Sequence, residues 1–314
     1  MTRRTLWSML AIVGAGILVL AGCSGGDSGS SGGDGTPSVV ASTNVWGAVA
    51  SAVAGDKATV TSLYTTSDGD PHEFEPSAAD TAKVADADVV VLNGGHYDAY
   101  MEDAIKDSDA TSVNAYDLLY GDHAEDHAAD HDHDAHNEHV FYNLAVVGQV
   151  ATKVADALAE KDPAAATTFR ANAATFNNQI TELRGKLADI KKAHDGTKVA
   201  QTEPLAEYLL DEAGLQDVAP AGFTAAVEEG QSPSAADRAA MEDLLTSRTV
   251  KALIYNTQAV DPVTEALLSV ANSANVAVVK FTETLPDGVT SYIDWQRGQI
   301  DALSSALATA QPAS

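Results

Sequence analysis

Cysteine is almost absent: Cys23 is the single one in 314 residues. No disulfide can form within the chain, so the fold must rest on its core. Basic side chains are scarce too, with 18 Lys and Arg against 45 Asp and Glu and a formal charge of −27. That balance disfavours nucleic acid and anionic lipid surfaces as partners and favours cations. Aromatic residues make up only 6%, leaving few rings or guanidinium groups to clamp an organic solute. No HExxH pair is present, which removes the commonest helical metallohydrolase site.

The amino terminus is ordered like an export signal. Arg3 and Arg4 precede a charge-free apolar run from Leu6 to Leu20, shorter than the ~20 residues a spanning helix needs. Leu20-Ala21-Gly22 then leads into Cys23. This layout matches a secretory signal peptide over residues 1–22, and it resembles a lipobox, which implies cleavage before Cys23 and a lipid on its sulfur. The paired arginines also fit twin-arginine export. Loss of residues 1–22 removes two arginines and no acid, so −27 becomes −29. Residues 23–37 continue as Gly, Ser and Asp with almost no apolar side chain, the composition of a flexible tether.

Beyond the tether, about 275 residues suffice for one large domain or two lobes. Short apolar runs alternate with helical patterns. Strands are expected at Val39–Ser42, Ala58–Tyr64 and Ala87–Leu92, and helices at Trp46–Ala54, at Ser77–Ala85 with Ser77 as N-cap, near Tyr97 after Asn93-Gly94-Gly95, and over Val140–Leu158. A different object follows Pro163. Phe169, Phe176, Ile180, Leu183, Leu187 and Ile190 form one apolar stripe on a long helix, ending before Gly196. The alternation then resumes, with strands at Lys198–Thr202, Val250–Tyr255 and Val276–Phe281 and helices at Leu205–Glu212, Ser234–Leu245, Pro262–Ala271 and Tyr292–Leu307. The expected class is α/β: two lobes, each a mainly parallel β-sheet with flanking helices, joined by one long bridging α-helix. The lobes would span 38–162 and 196–314, with 163–195 as the linker helix.

Four residues carry metal-ligating chemistry at related places. His72 lies in the loop after the strand ending at Tyr64, and His139 begins the helical segment at Val140. Glu203 and Glu283 each follow a strand. Open α/β sheets bind ligands beyond the carboxyl ends of their strands, so the four are expected to converge in an inter-lobe cleft. His96, His194, Asn256 and Gln258 are lesser candidates. His96 suits a surface or helix entry, His194 suits the negative end of the long helix, and Asn256 and Gln258 suit hydrogen bonds to a ligand.

Several segments resemble the solute-binding proteins of zinc and manganese ABC importers, over essentially all of residues 38–310. They are DPHEFEPS at 70–77, HVF at 139–141, TEPLAEYLLDEAGL at 202–215 and FTETLP at 281–286. The resemblance implies two α/β lobes on a long helix and a metal held by His72, His139, Glu203 and Glu283, with Thr202 as the alternative at the third position. It also implies delivery of the ion to a membrane permease by a monomeric, lipid-anchored protein outside the cytoplasm. No reaction is implied, since the ion is cargo. Asn137-Glu138 stand where the family usually has aspartate and proline.

Residues 121–139 read GDHAEDHAADHDHDAHNEH and hold six of the nine histidines among seven acids. Such a stretch cannot build a core. Its imidazoles, with His123, His127, His131, His133 and His136 as the secondary candidates, bind borderline divalent ions. The choice of metal has two sides. Two carboxylates suit manganese, whereas the intrinsic affinity order and the His-rich stretch favour zinc. Zinc is the first reading and manganese the alternative. An adhesin-type lipoprotein that tolerates metal, and a metallohydrolase with an open water position, are the rival classes.

Overall fold

In a computed structural model of the protein, the residues described are 35–106, 108–121 and 136–309. Cys23, with the preceding signal and most of the tether, lies outside them, as do His123, His127, His131 and His133.

The first sheet is built from β1 (Ser38–Thr43), β2 (Thr59–Tyr64), β3 (Val89–Leu92) and β4 (Thr111–Asn114), in the order β2-β1-β3-β4 and parallel throughout. Val39 pairs with Val60 on one side and Val89 on the other. All four residues of β3 are buried, as a parallel strand covered on both faces requires. The second sheet contains β5 (Lys198–Gln201), β6 (Gln216–Asp217), β7 (Ala252–Asn256) and β8 (Ala277–Phe281), also parallel, in the order β6-β5-β7-β8. The two orders are the same when each lobe is counted from its own first strand. The chain therefore repeats a topology that no sequence repeat announces. In both, the switch point lies between the first and third strands, where a crevice opens at the carboxyl ends.

The helices are α1 (Asn44–Ala54), α2 (Ala78–Ala85), α3 (Ala99–Ile105), α4 (Ala115–Tyr120), α5 (Leu144–Lys161), α6 (Ala166–His194), α7 (Glu207–Glu212), α8 (Ala221–Glu228), α9 (Ala235–Thr246), α10 (Pro262–Ala274) and α11 (Tyr292–Thr309). Local chemistry explains their starts. Ser77 and Asp80 form a reciprocal capping box on α2, Asp261 caps α10 ahead of Pro262, and Ser234 caps α9. Asn143 caps α5 by accepting from the Val146 N–H. Val140–Tyr142 thus forms a separate tight turn ahead of the helix, although the apolar period runs straight through. After β3 the chain also turns for longer than expected. Gly94, Gly95 and His96 all have positive φ, and the helix begins at Ala99. A Cβ on Gly95 would meet the Tyr116 ring at 2.4 Å, so glycine is needed there for space as well as for backbone.

At 29 residues, α6 runs roughly 44 Å at 1.5 Å per residue. Its buried side chains are Phe169, Ala173, Phe176, Ile180, Leu183, Leu187 and Ile190, which is the stripe seen in the sequence. It packs on α1 and α5 of the first lobe and on α7 and α11 of the second. One hydrophobic cluster consequently runs from Val39 and Trp46 through this stripe to Phe281 and Trp295. Unfolding should then be shared between the lobes. Leu187→Ala is expected to cost about 2–5 kcal/mol and Lys192→Ala less than about 0.5 kcal/mol, measured by urea denaturation followed by circular dichroism. A Leu187→Ala cost below about 1 kcal/mol would contradict the continuous core.

Candidate metal centre

Each candidate ligand owes its place to a local turn. Asp70 accepts the His72 N–H at 2.8 Å and caps the tight turn Pro71–Glu73, which Pro71 favours with its restricted φ. Asn137 accepts the His139 N–H at 2.8 Å, and its Oδ1 lies 3.0 Å from His139 Nδ1. The amide oxygen so engages the Nδ1 edge of the ring, leaving Nε2 to face Glu283. Glu203 follows β5 and Glu283 follows β8, both buried.

The carboxylate of Glu283 sits at the centre, with no exposed surface. Its Oε2 lies 3.4 Å from His72 Nε2 and 3.7 Å from His139 Nε2. Tyr97 donates to Oε2 at 3.0 Å, and Asn256 donates to Oε1 at 2.7 Å. Both lobes therefore clamp one side chain. One donor atom from each of His72, His139 and Glu283 lies within 4.8 Å of the others. Ligands at 2.0–2.1 Å around a tetrahedral ion stand about 3.4 Å apart, close to both histidine distances. The 3.7 Å gap is too long for a hydrogen bond, and the buried His139 Nε2 has no such partner among the described residues.

Glu203 is held by Asn256, which donates to its Oε1 as well as to Glu283. It stands beside the compact donor set and not within it. The Thr202 hydroxyl accepts from the Asn256 N–H. Gln258 accepts from the Glu283 and Thr284 N–H groups and donates to Gly69 O at 3.0 Å, tying the Glu283 loop to the DPHEF loop. His96 is exposed and away from this cluster. His136 stacks on Tyr120 with ring centroids 4.0 Å apart.

Two acidic residues also reach the centre. Glu138 Oε1 lies 3.3 Å from His72 Nδ1, and Glu228 Oε1 lies 3.7 Å from His139 Nδ1. Sequence reasoning noticed Glu138 only as a departure from a motif and passed over Glu228. Glu228 ends α8, a helix the apolar pattern did not reveal. With the helix unrecognised, nothing local in the sequence pointed to Glu228.

Electrostatics follow from burying so many carboxylates with two imidazoles. Burial by itself would lower both histidines, but the surrounding acids prevail. His72 is pushed up to about 10, chiefly by Glu283 with Glu138 and Asp70. His139 is pushed up to about 9, by Glu228 and Glu283. Burial raises Glu138 to about 7. Glu203 is raised well above the carboxylate range by burial and by its acidic neighbours. Glu283 is lowered instead: burial opposes this, but the two histidines outweigh it.

A buried cleft between two α/β lobes on a rigid helix, lined by imidazoles and carboxylates, defines a binding protein for a cation. The family model described as the periplasmic zinc-uptake complex component A matches residues 39–306. The chain belongs to this family. It is 29% identical over 214 residues to the zinc-binding lipoprotein AdcA of Streptococcus pneumoniae, covering 65% of this chain and 41% of the relative. It is 27% identical over 173 residues to the manganese-binding lipoprotein MntA of Halalkalibacterium halodurans, covering 55% of each. The high-affinity zinc uptake system protein ZnuA of Bacillus subtilis is 26% identical over 266 residues, covering 76% of this chain and 77% of the relative. The chain thus spans about two fifths to a half of the first two relatives. Among solved structures, the laminin-binding protein of Streptococcus agalactiae, described as having adhesin and metal-transporting activity, superposes with a TM-score of 0.70 at 21% identity, covering 87% of this chain and all of that one. FpvC of Pseudomonas aeruginosa in complex with Mn2+ gives 0.69 at 22%, covering 88% and 100%. These likenesses show the fold.

Two outcomes follow. A ligating imidazole must be neutral, and both histidines hold protons at neutral pH. Uptake of one divalent ion at pH 7.5 should release about two protons from the two imidazoles, and apparent affinity should fall by about 100-fold per pH unit below about pH 9. Free imidazoles near 6.5 would release only about 0.2 proton at pH 7.5. Calorimetry in buffers of different ionisation enthalpy decides between them. Asn256→Ala removes the donor shared by Glu203 and Glu283 and should weaken binding about 10–100-fold, read in a chelator competition. An unchanged affinity would assign Asn256 no part in the centre.

Proposed function

We propose that this protein captures a divalent transition metal, zinc in the first instance, and hands it to an ABC importer from outside the cytoplasm. His72, His139, Glu203 and Glu283 are the proposed ligands. The observation that carries the reading is the buried His139 Nε2, which lacks a hydrogen-bond partner and points at Glu283 across 3.7 Å. A buried donor left so is costly unless it serves a ligand. Glu203 is preferred to Thr202 because the threonine hydroxyl is engaged by the Asn256 backbone. Zinc agrees with the intrinsic order for nitrogen and oxygen donors and with relatives named for zinc. Manganese is the second reading, favoured by the carboxylate-rich donor set and by the relative named for manganese.

The protein performs no reaction on this reading. A lipid on Cys23 would anchor it to the membrane, and no helix among the described residues is long and apolar enough to span one. A single chain would meet the permease, and the secondary histidines, His136 among them, would gather ions nearby.

A competition titration of the metal-stripped full chain, with zinc and manganese against chelators of graded strength, tests the reading. One zinc bound at least 100-fold more tightly than any further equivalent is expected. A tight manganese site that zinc does not displace would make this a manganese carrier. The absence of a tight site for either ion would refute metal capture.

A further inference from the structure

Metal capture by the four proposed ligands leaves two carboxylates of the centre unused. Glu138 and Glu228, together with His72, bring one donor atom each within 4.8 Å of one another. Their ion-pair partners among the described residues are His72 and His139. Glu228 Oε2 is shielded from solvent without a hydrogen-bond partner. Carboxylates withdrawn from water in this way cost free energy unless a cation meets them. The two sets of donors also differ in depth. The side chains of His139 and Glu283 are fully buried, whereas His72, Glu138 and Glu228 retain 21, 18 and 17% exposure. An ion arriving from solvent meets the second set first.

His72 belongs to both sets through opposite edges of its ring. Nδ1 faces Glu138 and Nε2 faces Glu283. A neutral imidazole offers one free nitrogen, the other carrying its proton, so the two sets cannot use His72 at once without a further deprotonation. We propose that His72 Nδ1, Glu138 and Glu228 form an outer station that holds the divalent cation before it passes to the inner ligands, the two being occupied in turn. This rests on the metal-capture reading and extends it to the route of entry.

Glu228 is supplied by the second lobe, Glu138 by the first. The Glu138 backbone is positioned by Asn93, whose amide donates to its carbonyl at 2.8 Å and accepts from Trp46 Nε1 at 3.3 Å. Asn137, next to it, donates to Pro204 O across the cleft. The station is thus mounted on packed elements of both lobes.

The test follows histidine ring nitrogens by 15N NMR on the full chain with zinc as the probe, since two-bond couplings distinguish Nδ1 from Nε2 ligation. In the unchanged chain, zinc on Nε2 of His72 and His139 is expected. If neither takes up zinc, the metal-capture reading fails by itself. In Glu283→Gln, which cripples the inner set, zinc should move to His72 Nδ1. Adding Glu138→Gln or Glu228→Gln should weaken that binding at least tenfold. Zinc remaining on Nε2 in Glu283→Gln, or no response to either further change, overturns the station while leaving metal capture intact. A kinetic measurement stands should Glu283→Gln not fold. Glu138→Gln or Glu228→Gln alone should slow zinc entry and chelator-driven removal together, each at least tenfold, with affinity changed less than threefold. Slowed entry with a proportional loss of affinity would reduce both residues to long-range steering and overturn the station.

Discussion

The whole molecule is arranged around a buried carboxylate. Glu283 has no contact with solvent, and its charge is tolerated because Tyr97, Asn256 and two imidazoles surround it. Tyr97 and both histidines come from the first lobe, Asn256 from the second. An isolated carboxylate in such a place would take up a proton. Here the histidines hold it ionised, and on the proposed reading a divalent ion would replace their protons in the same electrostatic role. Folding therefore leaves an inter-lobe site whose charge demands a cation.

The lobes around it are also tied to one another. The lobes share one hydrophobic cluster through α6, and polar ties cross the cleft. Asn44 and Leu285 exchange two hydrogen bonds, Thr284 donates to Thr66 O, and Tyr142 donates to Thr282 O. Ligands fixed by packed elements lose little entropy when the ion binds. The donors reach the cleft from the carboxyl-end side of β2, β5 and β8, with His139 from the turn ahead of α5.

The carboxylate count bears on selectivity. The proposed ligands, two imidazoles with two glutamates, would form a donor set that zinc and manganese both accept, and the neighbouring Glu138 and Glu228 add charge without adding softness. Affinity must then be set by geometry and by how readily protons leave His72 and His139. The latter is governed by the same acids that attract the ion. A centre with fewer acids would bind protons less but would also attract cations less.

Much was legible from the residues alone. The stripe from Phe169 to Ile190 disclosed α6 because a helix buried on one side must repeat its apolar residues every three or four positions. The apolar runs at Ala87–Leu92 and Val250–Tyr255 disclosed strands, observed as β3 and β7, because a parallel strand covered on both faces is apolar throughout. Two prolines and a histidine in DPHEFEPS marked a loop with chemistry, and the residues around His139, Glu203 and Glu283 fell at strand or helix ends. Other features were beyond that reading. Residues 111–120 and 216–228 form β4, α4, β6 and α8, segments too short for periodicity to declare. Glu138 was noticed as a departure from a motif, and Glu228 not at all, since their meeting at His72 is set by the packing of two lobes. The raised histidines belong to the same class of fact. A residue's intrinsic pKa is local, but the Glu138, Glu228 and Glu283 charges beside these histidines come from 66 to 211 positions away, and only the tertiary structure brings those together.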